Sequence, residues 1–302
     1  MLRMDTTTGR TAGIPVVSSL CALVAVVALS VIALDATAQG PGQHTLQFDY
    51  ASGGVTHQLQ YLLFLPETYG DDPSERWPLI FFHHGAGENG SNIELIKVHG
   101  PPKIAERQPD FQFIVVSPLA PNNADFNLLV DAWMVLLDDV TTAYSVDTSR
   151  MYITGLSQGG YLTWELAARH PNTFAAAVPI AGGAGLGGFC RLLRSFGQGC
   201  EGAQGPEIDP CIVGQMPVWV FHGDADSVVD PTNSVTMVEQ LTACGGDVDF
   251  TLYPGVDHDS WTATYDNAAL YDWMLSHSTG SATSVAPAGK LPVVWGSLRR
   301  AL

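Results

Sequence analysis

A serine flanked by glycines, Gly155-Leu156-Ser157-Gln158-Gly159, is the clearest chemical signal in this sequence. The G-x-S-x-G pattern marks a sharp turn that lifts a serine hydroxyl clear of the backbone, and it needs small residues on both sides of the serine. With 31 glycines in the chain, the bare pattern would carry little weight. Its context carries more. The apolar run Met151 to Thr154 should enter the turn as a strand, and Gly159 to Arg169 should leave it as a helix. Such a turn also aims the Gln158 N–H at the space in front of the hydroxyl.

A serine hydroxyl is a weak nucleophile and needs a base, which in turn needs an orienting carboxylate. After a strand-turn-helix of this type the expected chain order is acid, then histidine, each on a loop after a later strand. Val218 to Asp226 reads as a strand and loop that places Asp226 as the acid, with Asp224 and Asp230 as neighbouring alternatives. Phe250 to His258 is the next strand and loop, which makes His258 the expected base. Chain order sets aside His44, His57, His83, His84 and His99. His170 and His277 fall at helix ends, where capping explains them. His222 ends the strand before the acid and is expected to order that loop.

An acyl-transfer intermediate also needs N–H donors for its oxyanion. The loop His84-Gly85-Ala86-Gly87 offers the Ala86 N–H beside that of Gln158. Gly85 to Gly90 also spells the dinucleotide fingerprint G-x-G-x-x-G, which calls for an acid ending a second strand roughly 20 residues on. The next strand ends in Ser117 instead, so no nucleotide and no other cofactor is expected. Trp261 and Tyr161 lie close in sequence to His258 and Ser157 and are candidate substrate-binding residues, with core packing as the alternative for both.

The elements that must position these groups alternate. Strand-like runs at His44 to Tyr50, Gln58 to Leu65, Trp77 to Phe82, Phe113 to Ser117, Met151 to Thr154, Phe174 to Ile180, Val218 to His222 and Phe250 to Tyr253 are interleaved with helical stretches. Those lie near Pro102 to Arg107, Leu128 to Tyr144, Gly159 to Arg169, Ser234 to Leu241 and Ala268 to Leu275. The rhythm predicts an α/β fold with a mostly parallel sheet covered on both faces. Gly182 to Cys211 breaks the rhythm and is expected as an insertion over one sheet edge.

The first 38 residues read as an export signal: Arg3 and Arg10, an apolar run from Ile14 to Leu34, then Ala36-Thr37-Ala38 before Gln39. The expected organisation is therefore a signal peptide over 1–38, one catalytic domain over 39–278, and a linker and tail over 279–302. Removing the signal removes Cys21 and leaves Cys190, Cys200, Cys211 and Cys244. An even count in an exported chain suggests two disulfides, and Cys190–Cys200 with Cys211–Cys244 is the favoured pairing. No CxxC or adjacent histidine accompanies them, so no metal site is expected. The 302-residue chain has 13 basic residues against 30 acidic ones, a formal charge of −17. Such a surface repels phosphate backbones and anionic headgroups, so neither nucleic acid nor, after signal cleavage, a membrane is an expected partner.

Four blocks together resemble a known family. They are His84-Gly-Ala-Gly-Glu88, Gly155-Leu-Ser-Gln-Gly-Gly160, His222-Gly-Asp-Ala-Asp226 and Tyr253-Pro-Gly-Val-Asp-His258-Asp-Ser-Trp261. They are similar to secreted esterases related to polyhydroxybutyrate depolymerases and feruloyl esterases, often labelled phospholipase/carboxylesterase or predicted peptidase. The resemblance spans about residues 58 to 277. It implies an α/β-hydrolase fold, a metal-free acyl-enzyme mechanism, the triad Ser157, Asp226 and His258, and an oxyanion loop at Ala86. The expected activity is hydrolysis of short-chain or aryl esters, of the feruloyl or acetyl type, carried on a small molecule or a polymer. A serine peptidase of the prolyl-oligopeptidase kind, a polyester depolymerase and a non-catalytic polymer-binding protein are the alternatives. Two departures bear on substrate. Pro121 to Phe126 stands where family members often carry paired tryptophans, and the Cys190 to Cys211 insertion is longer than usual and a candidate lid.

Overall fold

Along Trp77–His83 every residue is buried, with Leu79 and Phe81 facing one apolar cluster and Ile80 and Phe82 facing another. A strand buried on both faces belongs in the middle of a sheet covered by two layers of helix. The computed structural model describes residues 39–122, 125–197, 199 and 207–280. Its strands are β1 (Gly42–Ser52), β2 (Val55–Leu65), β3 (Trp77–His83), β4 (Ile114–Pro118), β5 (Val146–Leu156), β6 (Ala176–Ile180), β7 (Val218–Gly223) and β8 (Val248–Tyr253). They form one sheet in the order β1-β2-β4-β3-β5-β6-β7-β8. The pairs β1–β2 and β2–β4 are antiparallel, and every pairing from β4 to β8 is parallel.

The helices are α1 (Gly100–Ala105), α2 (Phe126–Ala143), α3 (Gln158–Arg169), α4 (Gly185–Ser195), α5 (Thr232–Ala243), α6 (Trp261–Tyr265) and α7 (Ala268–Leu275). The apolar side chains of α2 to α5 join the cluster on the Phe81 face, and those of α1, α6 and α7 join the cluster on the Phe82 face. Helix α2 shows how sequence sets the local structure. Asp125 caps it by accepting the N–H groups of Asn127 and Leu128, which would otherwise be unpaired at the first turn. Phe126, Leu129, Val130, Trp133, Leu136, Leu137 and Val140 then recur at helical spacing on the buried side.

One expectation needs correction. The described part of Gly182 to Cys211 is not an insertion over a sheet edge: it leaves β6 and leads to β7, both interior strands, and the edges are β1 and β8. Part of this segment is helix α4, whose Leu186, Phe189 and Cys190 are buried in the core. Glu165 of α3 starts it by accepting the Leu186 N–H at 2.8 Å. At the other end, Thr279 is still attached to the domain, its N–H donating to the Ser149 carbonyl at 2.8 Å. The segments 1–38 and 281–302, on which the signal peptide and most of the tail were expected, lie outside the described residues.

Cys211 and Cys244 form a disulfide across a sequence separation of 33. It joins the 3-10 turn Pro210–Val213 to the end of α5, so it brackets β7, the acid loop and α5. Cys190 is also disulfide-bonded; its expected partner, Cys200, lies outside the described residues. Closing a loop of this size is worth about 3–4 kcal/mol in the chain-entropy account. The double substitution Cys211→Ser with Cys244→Ser should therefore lower the melting temperature by roughly 10 °C, measured by calorimetry. A variant that melts with the parent would show that the bridge adds nothing.

Candidate active site

Ser157 sits between the end of β5 and the start of α3 with φ 52 and ψ −117. A non-glycine residue held in this region costs of order 1–3 kcal/mol and persists only where its surroundings force it. Here the surroundings are backbone. A Cβ on Gly159 would lie 2.0 Å from the His83 carbonyl oxygen, and one on Gly160 would lie 2.4 Å from that of Ile180. The first turn of α3 is thus pressed against the ends of β3 and β6, with no room for any side chain. The Ser157 N–H donates to the Ile180 carbonyl at 2.9 Å, which fixes the turn from the other side.

The hydroxyl that this turn presents meets His258. Ser157 Oγ is 3.0 Å from His258 Nε2, and His258 Nδ1 is 2.7 Å from Asp226 Oδ2. A carboxylate only accepts, so the proton belongs on Nδ1 and the Nε2 lone pair faces the serine O–H. Asp226, with its side chain inaccessible to solvent, collects further donors. The N–H groups of Val228 and Val229 reach Oδ1 at 2.9 and 2.8 Å, and His222 Nε2 lies 3.1 Å from Oδ2. Burial alone would raise this carboxyl, but hydrogen bonds from His222, His258, Val229 and Val228 outweigh it and hold it well below the usual carboxylate range. The neighbours are otherwise engaged. Asp224 accepts the Gly255 N–H at 2.6 Å, and Asp230 accepts the Thr232 N–H at 2.9 Å.

Three further residues from the same sequence blocks support this line. His222 also reaches the Val229 carbonyl at 2.9 Å and Ser234 Oγ at 2.7 Å, so it ties β7, the acid loop and α5 together. Asp257 accepts from the Ser227 N–H, the Ser227 hydroxyl and the His258 N–H at 2.8, 2.9 and 2.9 Å, which joins the histidine loop to the acid loop. His84 stands under the glycine loop after β3, with Nδ1 2.7 Å from the Gly85 carbonyl and Nε2 accepting the Ala120 N–H at 3.0 Å. That pattern requires a neutral ring with its proton on Nδ1. Burial pushes the His84 ring down to about 4, and His83 beside it down to about 3.

Ala86 and Gln158, the expected oxyanion donors, are each the first residue of a helical segment, the 3-10 turn Ala86–Glu88 and α3. An amide at a helix start has no acceptor within its helix. The two aromatic candidates separate. Trp261 opens α6 with its ring 5.0 Å from the His258 ring at 89°, and its indole N–H donates to His99 Nδ1 at 3.3 Å. Tyr161 instead has no exposed surface and packs against Phe189 and beside Gly183. As the fourth residue of α3 it points into the helix layer, so the packing alternative holds for it.

Across residues 120–270, half of the chain, the sequence matches the model of the phospholipase/carboxylesterase family. The chain belongs to that family. Poly(3-hydroxyalkanoate) depolymerase C of Paucimonas lemoignei is 32% identical over 135 residues, 40% of this chain and 30% of that one. Acetylxylan esterase A of Emericella nidulans is 26% identical over 243 residues, 70% and 75% of the two chains. The chain thus spans under a third of the first relative's length and three quarters of the second's. Among solved structures, a thermostable esterase superposes with a TM-score of 0.58 at 28% identity, over 78% of this chain and 63% of that one. The fold is the α/β-hydrolase fold. Among the described residues no helix is long and apolar enough to cross a membrane.

Two outcomes follow from this geometry. Asp226→Asn should cut turnover by roughly 10⁴ by favouring the wrong His258 tautomer, while Asp224→Asn stays within a few-fold of the parent. A crippled Asp224→Asn variant would move the acid to that residue. The second concerns acid. His83 and His84 stay neutral in the fold but protonate near 6.5 when unfolded, so the unfolded state binds more protons below that pH. Stability should fall as pH drops from about 6.5 towards 4, and should be fully present above that window. Urea midpoints measured from pH 8 to 4 test this, with His83→Phe expected to flatten the slope.

Proposed function

We propose that this protein is an exported serine carboxylesterase that works through an acyl-enzyme on Ser157. The observation that carries the reading is the unbroken line from Ser157 Oγ through His258 to Asp226, at 3.0 and 2.7 Å, on a strained turn. Nε2 takes the serine proton as Oγ attacks the ester carbonyl, and Asp226 supports the imidazolium that results. The N–H groups of Ala86 and Gln158 receive the oxyanion. The imidazolium then protonates the departing alcohol, and water repeats the cycle to release the acid and free serine. None of these steps uses a metal or a cofactor.

Relatives named acetylxylan esterase and feruloyl esterase support short or aryl acyl groups as substrates. Trp261, buried but with its ring edge-on beside His258, is the side chain such an acyl or alcohol group would lie nearest. Export rests on the basic, apolar and small-x-small order of the first 38 residues. The depolymerase likeness, at 32% identity, supports a second reading in which the ester is a link in a polyester chain.

Ser157→Ala should remain folded with turnover reduced by about 10³ or more; parent-like turnover would remove Ser157 as nucleophile. Substrate class is tested by kcat/KM on matched acetyl, hydroxycinnamoyl and long-chain esters, on the corresponding amides, and by clearing of poly(3-hydroxybutyrate) film. Acetyl or hydroxycinnamoyl esters should lead, and amides should be negligible because an amine leaves only after protonation. Amide values equal to the ester values would place the protein with the peptidases, and film clearing without small-ester turnover would favour the polyester reading.

A further inference from the structure

The two amides read as oxyanion donors belong to different strands' loops, Ala86 after β3 and Gln158 after β5, and something must set the distance between them. Beyond the backbone contact at Gly159, one side-chain pair spans this gap. Asn89 Nδ2 donates to Gln158 Oε1 and Gln158 Nε2 donates to Asn89 Oδ1, both at 3.1 Å. The two primary amides therefore face each other head to head, with each donor matched to an acceptor. Gln158 is 1% exposed and Asn89 is half-buried, so water competes poorly for these bonds. Asn89 also ties the loop on the other donor's side, since its own N–H donates at 3.3 Å to the Ala86 carbonyl, in the peptide that follows the donor N–H. A short chain of hydrogen bonds thus runs from the Gln158 side chain through Asn89 to the Ala86 carbonyl, one peptide beyond the Ala86 N–H.

We infer that Asn89 and the Gln158 side chain form an amide clamp that fixes the spacing of the two oxyanion donors, making Asn89 a positioning residue. This rests on the catalytic reading of Ser157 above. The physical basis is that such donors act by being already in place, and small displacements at a reacting centre cost rate rather than substrate affinity. Gln158 then has two separable parts: a backbone N–H that meets the oxyanion and a side chain that places it. Among the described residues, the Asn89–Gln158 pair is the side-chain hydrogen bonding that joins these two loops.

The test uses Asn89→Ala, Gln158→Leu, which keeps the backbone N–H, and the double variant, each quantified by active-site titration with a fluorophosphonate. On an activated aryl ester, kcat per titrated site should fall about tenfold in each single variant, with KM within about twofold. Affinity for an alkylboronic acid, which forms a tetrahedral adduct on the serine, should fall in step with kcat. The double variant should be no slower than the slower single, since both remove one interaction. A merely structural role would lower the titratable fraction or the melting temperature and leave kcat per site alone. Parent-like kcat in titrated Asn89→Ala, or losses that multiply in the double variant, would overturn the clamp. Ser157→Ala separates the two readings: if it is inactive while Asn89→Ala is unaffected, only the clamp falls, whereas an active Ser157→Ala removes the catalytic reading itself.

Discussion

Everything at the site depends on one steric constraint, the contact of bare backbone between the first turn of α3 and the ends of β3 and β6. Gly159 and Gly160 leave no volume between the helix and the carbonyls of His83 and Ile180. With the helix pressed that close, the chain can leave β5 only through a reversal at Ser157, which explains its positive φ. The strain is local and is offset by the packing of α3, whose Leu162, Trp164 and Leu166 are buried in the sheet's larger cluster. The same closeness brings the loop after β3 alongside the serine, so the positions of Ser157 and of the Ala86 loop have a common origin.

Around that constraint the polar groups are arranged by donor count. Asp226 is inaccessible to solvent, and a buried carboxylate is tolerable only when its lone pairs are met. Four donors meet them: two backbone amides and two histidines. The two amides come from the acid loop itself and the histidines from β7 and the loop after β8, and with the His222–Ser234 bond they pin the acid loop to β7, to α5 and to the histidine loop. His84 does the same for the glycine loop. The site's rigidity therefore comes less from the large apolar core than from a few buried polar atoms, each held to a specific partner.

The reach of the sequence follows the same division. The strand-turn-helix at Ser157, the acid after β7 and the histidine after β8 were legible because each is local, a short apolar run followed by small or charged residues. The parallel sheet was legible from alternation. Helix α4 was not, because Gly185, Gly187 and Gly188 weaken helix propensity and suggest a loop; Glu165, twenty residues away, and the burial of Phe189 override that preference. Tyr161 pointed towards substrate by sequence proximity alone, whereas its helical position sends it inward. The partnerships Asn89–Gln158, Asp257–Ser227 and His99–Trp261 join residues 69, 30 and 162 positions apart. Nothing in the local sequence marks such pairs, since no periodicity reaches across separate loops.

The strand order has a consequence for how the protein comes into being. Ser157 leaves β5, Asp226 leaves β7 and His258 leaves β8, and the serine and its base are separated by 101 residues of chain. Synthesis runs from the N-terminus, so the serine is made first and its base last. On the proposed catalytic reading, Ser157 without His258 beside it has no partner to take its proton and is an ordinary alcohol. On that reading, a chain not yet made as far as His258 carries no activated serine. The line from Ser157 to Asp226 is complete only with the loop after β8, an edge strand of the sheet, in place beside it, so on the proposed catalytic reading the last-made strand is the one that completes the site.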